Sequence, residues 1–446
     1  MTNALFRCAT LCTALLTPAA WAAPEIKHWT ADTEAQVYFV QSDVLPMLDV
    51  RIDFAAGEAY APEDQAGLAS LVQGLIFTGA DGLDEQALAE AIADTGAQIN
   101  GGTEADRAWL TIRTLSSAEE RDAAIKLAAR MLAQPDYPEA AVQRELQRAA
   151  AALRESLTRP APLAERRIAE LSFGDHPYGR NVSFDSLNAV SRETLVNFHH
   201  HHYTARNATV SLVGDVSQAE AERIANMLTR NLPAGEAPAP LPSPTLPAAH
   251  VERIPHPSSQ AHILAGMPGI EREDPDYFAL LLGNHILGGN GLVSRLSNEV
   301  RDQRGLAYSV YSYFAPRAVA GPFRIGLQTR GSQAETALDV MRDVLADFIH
   351  NGPTEEELEA ARSNLINGFG LRLDSNAKIL GYIAMIGFYG LPLDWLDTYT
   401  DHLETIDVAT IRDAFSRRIK LENLAVVMVG GSGDEGANAD EGAEKP

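Results

Sequence analysis

Residues 232–248 read Leu-Pro-Ala-Gly-Glu-Ala-Pro-Ala-Pro-Leu-Pro-Ser-Pro-Thr-Leu-Pro-Ala, and the six prolines in that span cannot sit inside a helix or a central strand. The stretch reads as an extended, semi-rigid linker over 232–249. It divides the chain into two parts that follow the same order. Pro138 and Glu139 open a helix in the first part, and Pro353, Thr354 and Glu355 open one in the second, where Thr354 and Glu357 have capping-box spacing. Val213-Gly214 ends a strand, and so does Val429-Gly430. These landmarks lie 215 and 216 residues apart, which points to a duplication.

Periodicity fills in the first part. Residues 36–40 and the alternating Leu48, Val50, Ile52 and Phe54 predict strands, as do 107–115 and 208–213. Helical spacing runs over 67–77, 85–95, 117–133 and 138–157. At 446 residues the chain is too long for one ordinary core and fits two α+β domains, 23–231 and 250–430, each a sheet with helices on one side. Such a pair suits a clamshell around an enclosed space. Residues 431–446, rich in Gly, Asp and Glu, predict disorder.

Composition narrows the function. A net charge of −24 argues against nucleic acid, whose backbone needs a basic surface. Residues 1–22 resemble a secretory signal: Arg7 is the sole charge, 9–20 are mostly apolar, and Ala20, Trp21 and Ala22 form a small-x-small cleavage site. Cleavage after Ala22 and a periplasmic location are expected. Both cysteines, Cys8 and Cys12, would leave with that segment, so the mature chain would have no disulfide, thiolate metal site or cysteine nucleophile. No later stretch is long and apolar enough to span a bilayer.

Residues 67–79 read Gly-Leu-Ala-Ser-Leu-Val-Gln-Gly-Leu-Ile-Phe-Thr-Gly. This resembles the zinc helix of the M16 (pitrilysin, or mitochondrial-processing-peptidase-like) family, G-L-A-H-L-x-E-H-x-L-F-x-G. Two histidines four apart on one helical face hold zinc there, and the glutamate activates the metal-bound water. Ser70, Gln73 and Gly74 stand at those three positions. The family's third ligand is a glutamate seven residues after another acid. Glu145 matches the first acid, and the ligand position is Ala152. Neither the ligand set nor the base is present, so no metal and no cofactor are expected in this chain.

The likeness extends over nearly the whole mature chain. The segment from Gly96 through Asn100 to Asp106 resembles the family's G-x-x-x-N-A-x-T-x-x-D strand, and 176–179 its H-P-Y-G turn. The resemblance implies that the strand carrying Asn100 pairs with peptide. In the second part, residues 287–296 followed by 301–310 resemble L-G-G-x-x-x-S-R-L and R-x-x-x-G-L-A-Y-x-V. By that resemblance Gly289 and Gly291 lie in a loop that gates peptide. Arg301 and Tyr308 fall where family members reach toward substrate on zinc, the arginine holding a peptide carbonyl or carboxylate and the phenol donating to an oxyanion. A plainer alternative pairs Arg301 with Glu299 or Asp302 and packs Tyr308 in a strand.

Other motifs carry little. The glycines at 288, 289 and 291 have neither Walker nor Rossmann context. The run His199, His200, His201 and His202 falls at a helix end and is no catalytic site, and no serine sits in a Gly-x-Ser-x-Gly elbow. The resemblance implies a non-zinc subunit of a two-chain peptidase. Its partner would be a zinc-bearing chain with an intact His-x-x-Glu-His helix, and this chain would offer Arg301 and Tyr308 to the peptide. The alternative is a scaffold or peptide-binding module without catalysis.

Overall fold

The computed structural model describes residues 24–431. The signal-like segment with Cys8 and Cys12, and all but the first residue of the 431–446 tail, lie outside the described residues. The first half builds a six-stranded sheet from β1 (Lys27–Thr30), β2 (Gln36–Gln41), β3 (Met47–Phe54), β4 (Gln98–Thr103), β5 (Ala108–Leu115) and β6 (Ala208–Gly214). Their order is β1-β2-β6-β3-β5-β4. The second half uses β7 (His250–Ile254), β8 (Gln260–Pro268), β9 (Ser309–Phe314), β10 (Pro322–Arg330) and β11 (Ala425–Gly430), in the order β7-β11-β8-β10-β9.

With β1 set aside, the two orders are identical strand for strand. In each sheet one pairing is parallel, β2 with β6 and β7 with β11, and the other pairings are antiparallel. Residues 233–249, between the halves, form no helix or strand.

Alternation decides which side of each sheet is covered. Leu48, Val50, Ile52 and Phe54 of β3 face a core closed by helices Ala118–Ala133 and Gln218–Thr229. In the second half Ile263, Ala265 and Met267 of β8 face helices Ala334–Asn351 and Val408–Arg418. The opposite faces are where the expectation of helices on one side needs correcting. Helix Pro160–Phe173 of the first half lays Ala164 and Ile168 on Leu264, Val427 and Val429 of the second sheet. Helix Asn376–Tyr389 of the second half lays Leu380 and Ile383 on Val40 and Val213 of the first. Each half thus covers part of the other's outer face. Each such aliphatic side chain contributes about 1.5–3 kcal/mol when fully buried, so the exchange joins the halves through shared core rather than through the linker alone.

Candidate functional site

Helix Leu68–Leu75 carries three of the four zinc-equivalent positions. Its N-cap, Gly67, has no side chain to satisfy the first amides, and Glu58 does so from outside. Glu58 Oε2 accepts from Gly67 N and Oε1 from Ser70 N, both at 3.0 Å, and the Ser70 hydroxyl also donates to Glu58. Ser70 therefore serves a helix start. One turn on, Gln73 is buried at 2% exposure and its Oε1 accepts from the Tyr203 hydroxyl at 2.8 Å. Its Nε2, which has no partner, lies over Gly101, where a Cβ would come within 2.1 Å. Glycine at 101 in β4 is thus the space that the Gln73 amide occupies. Gly74 faces open space with nothing within 4 Å of a Cβ position, and Ala152 is exposed on helix Glu139–Ser156.

These residues do not fit zinc. Two positions lack a donor atom altogether, and the Ser70 and Gln73 oxygens are committed to Glu58 and Tyr203. Among the described residues no group of three or more His, Cys, Asp or Glu side chains could hold a metal ion. Two histidines of the run, His199 and His202, turn inward instead, while His200 and His201 are exposed. His199 Nε2 meets Leu132 O at 2.9 Å and His202 Nδ1 meets Ala55 O at 3.1 Å. Burial pushes both imidazoles down to about 4.

Asn100 is exposed on β4, the free edge of the first sheet. Because strand neighbours alternate, its side chain points away from Gln73 and lines a small cavity with Asp49, Arg113 and Gly381. The strand's end has a structural task that spacing did not expose. Asp106 is buried, accepts from the Tyr178 hydroxyl and from Tyr389 Oη at 2.9 Å, and takes Ala318 N at 2.9 Å. Burial first, then the Asp106 charge, holds both phenols above the usual tyrosine range. His176 ties the same corner to the linker through Pro242 O at 2.8 Å. Two motif-like segments of the first half therefore latch the second half. The motifs gave Asp106 and Tyr178; nothing in the sequence marked Tyr389 or Ala318 as their partners.

In the second half, residues 285–302 wind through two wide turns, His285–Gly289 and Ser297–Asp302, closed by Asn290 N to His285 O and Gln303 N to Asn298 O. Glycine is required where this loop touches β9, since a Cβ on Gly288 would meet Ser312 Oγ at 2.4 Å, and one on Gly289 would meet Asn284 Nδ2, at the end of helix Tyr277–Asn284, at 2.7 Å. Gly291, at φ +43, starts the turn that leaves Leu292 and Val293 66% and 77% exposed. Arg295 anchors the segment with two 2.6 Å bonds to Glu357.

Arg301 and Tyr308 end differently from these anchors. Arg301 is half-buried and among the described residues pairs only with its neighbour, Nε to Asp302 Oδ1 at 2.8 Å. Tyr308 precedes β9, held by its backbone N–H to Gln328 O at 3.1 Å, and its side chain is 63% exposed rather than packed in a strand. Bonds from Gly305 N to Arg301 O and from Leu306 N to Val300 O fix the loop between them. Among the described residues, no hydrogen bond or ion pair joins Arg301 or Tyr308 to the Ser70, Gln73 and Gly74 helix.

Family models of known proteins match the chain in two successive segments. Residues 37–185 match the insulinase (peptidase family M16) model, and 189–365 match the peptidase M16 inactive domain. The chain belongs to peptidase family M16. A solved structure of a peptidase M16 inactive domain from Pseudomonas fluorescens superposes with a TM-score of 0.88 at 35% identity, over 91% of this chain and 98% of that one. An uncharacterized zinc protease of Streptomyces coelicolor is 32% identical over 50% of this chain and 51% of its own length. The non-peptidase homolog YmxG of Helicobacter pylori is 23% identical over 88% of this chain and 91% of its length. This M16 chain thus has the family's fold without the family's metal ligands. No helix among the described residues is long and apolar enough to cross a membrane.

Proposed function

We propose that this chain is the metal-free subunit of a two-chain M16 peptidase, secreted to the periplasm, and that it closes half of a clamshell chamber over a zinc-bearing partner. Arg301 and Tyr308 act on peptide held at the partner's metal, the guanidinium orienting a carbonyl and the phenol donating to the oxyanion. Gly289 and Gly291 belong to the peptide gate, and Asn100 to a strand edge that accepts peptide backbone. The observation that carries this reading is the unequal fate of the two halves. The Ser70 and Gln73 oxygens have been reassigned to capping and packing, whereas the Tyr308 phenol stands exposed at the end of a loop fixed by backbone bonds. A residue kept only for packing would be covered.

The test is association with a chain carrying an intact His-x-x-Glu-His helix. Interfaces of permanent complexes bury roughly 2,000 Å² or more and survive dilution. Sedimentation of the two at low micromolar concentration should give a 1:1 complex, with zinc found in the partner alone. Zinc bound stoichiometrically to this chain, or independent sedimentation, would contradict it. The scaffold reading draws on the Helicobacter pylori relative named a non-peptidase homolog, and it predicts a complex whose proteolysis ignores Arg301 and Tyr308.

A further inference from the structure

Two arginines are buried to below one-tenth exposure among the described residues, and they are treated in opposite ways. Arg121 meets Asp122 at 3.1 Å and Glu220 at 3.0 Å. Arg324 of β10 is 6% exposed, its Nη1 has no hydrogen-bond partner, and it joins none of the ion pairs among the described residues. An uncompensated guanidinium is among the costlier features a fold can bury. The outer face of the first sheet shows the usual solution. There Arg51 and Arg107 pair with Asp53, and Arg113 with Asp49. The duplicated second sheet has a buried arginine on its outer face and no acid on a neighbouring strand to match it.

Register places the groups around it. Arg324 lies opposite Gly266 of β8 and Tyr313 of β9. A Cβ on Gly266 would come within 2.9 Å of Arg324 Cδ and 3.0 Å of Nη1, so the side chain lies flat over the glycine. Tyr311 and Tyr313 share this face with rings stacked 6.1 Å apart, and both are partly exposed at the sheet edge. Burial raises both phenols above the usual tyrosine range, so they stay protonated donors. Helix Pro160–Phe173 bounds the other side and contributes Glu165, which is near enough to act on the guanidinium but not paired with it. Arg317 lies apart from this group, with its guanidinium 4.5 Å over the Tyr178 ring of the latch.

We propose that Arg324, with the Tyr311 and Tyr313 hydroxyls, forms a subsite for the carboxylate of a peptide on the outer face of the second sheet. A planar guanidinium offers a carboxylate two parallel N–H donors, neutral phenols complete its lone pairs, and stacked rings wall the site with apolar surface. The Glu165 charge at the rim disfavours a dianion such as phosphate more than it disfavours a monoanion. The assignment of peptide as the ligand rests on the subunit reading above, and it makes an acidic or C-terminal carboxylate the preferred feature of that peptide.

Calorimetric titration of the isolated chain tests it, without partner or zinc. The probes are an acetylated alanine pentapeptide with a free C-terminal acid, the same peptide amidated, an amidated version with one glutamate, and inorganic phosphate. Both acid-bearing peptides should bind at least about tenfold tighter than the uncharged one, the scale of a charge-assisted bond. Arg324→Met should lose that tenfold with an unchanged or higher melting temperature, because it removes an unpaired buried charge. Glu165→Gln should tighten binding. Phosphate binding as tightly as the acid peptides would overturn the peptide assignment. Equal binding of acid and amide peptides, or a fall in melting temperature for both Arg324→Met and Glu165→Gln, would make Arg324 half of an internal ion pair. Either result leaves the roles of Arg301 and Tyr308 standing, and an absent partner leaves this subsite standing.

Discussion

At the scale of single residues, Gln73 shows how the position of the motif's water-activating glutamate is taken into the core. Its amide fills the space above Gly101, and its oxygen takes the Tyr203 hydroxyl inside the core. Gly101→Ala should therefore destabilise by about 1–3 kcal/mol, as overpacking does. In a Gln73→Ala background the same change should cost less, by at least about 0.5 kcal/mol of coupling. Urea titrations of the four proteins measure this, and strict additivity would mean that the two side chains do not touch. The inward histidines give a pH test. His199 and His202 have folded pKa values of about 4, below the free value of about 6.5. Between those values the unfolded chain binds more protons. The stability of the neutral pair is complete above about pH 6.5 and is lost as pH falls toward 4, by at most roughly 3 kcal/mol each. His176, His262 and His285 are shifted in the same direction by burial. The expected result is a melting temperature that declines from pH 7 to 4.5, with a shallower decline in His199→Gln. An unchanged slope would mean that His199 is solvated.

At the scale of elements, the strands with strict alternation were readable directly. Leu48, Val50, Ile52 and Phe54 form β3, and 107–115 contains β5, because one face of each is core and the other is polar. Helices Pro160–Phe173 and Asn376–Tyr389 were not readable as cross-braces, since periodicity reports an apolar face and not whose sheet it covers. The same limit hid Arg324. The alternation of Phe323, Ile325 and Leu327 assigns it to the outer face of β10, but only register with Gly266 shows that it lies flat and unpaired. The cross-brace makes a definite claim about cooperativity. Ile383 belongs to the second half yet packs on Val40 and Val213 of the first, so Ile383→Ala should cost about 2–5 kcal/mol and lower the unfolding of both halves together. A variant that unfolds in two steps, with the first half untouched, would contradict the shared core.

At the scale of the whole molecule, the sequence showed the duplication and the absence of metal ligands, because both depend on residue identity at fixed offsets. It could not show the Asp106, Tyr178 and Tyr389 latch, which joins residues 72 and 283 positions apart. Nor could it separate the two readings of Tyr308, whose exposure is a property of the folded loop. Exposure also makes the decisive experiment clean, since substitutions at exposed positions away from caps and networks change stability by no more than about 0.5 kcal/mol. That experiment is the steady-state peptidase rate of the complex between this chain and a zinc-bearing M16 partner, with Tyr308 intact or replaced in Tyr308→Phe. Loss of an oxyanion donor should lower kcat by about 10²-fold to 10³-fold while the complex and its melting temperature stay unchanged. An unchanged kcat in the intact complex would leave this chain as architecture and contradict its part in the chemistry.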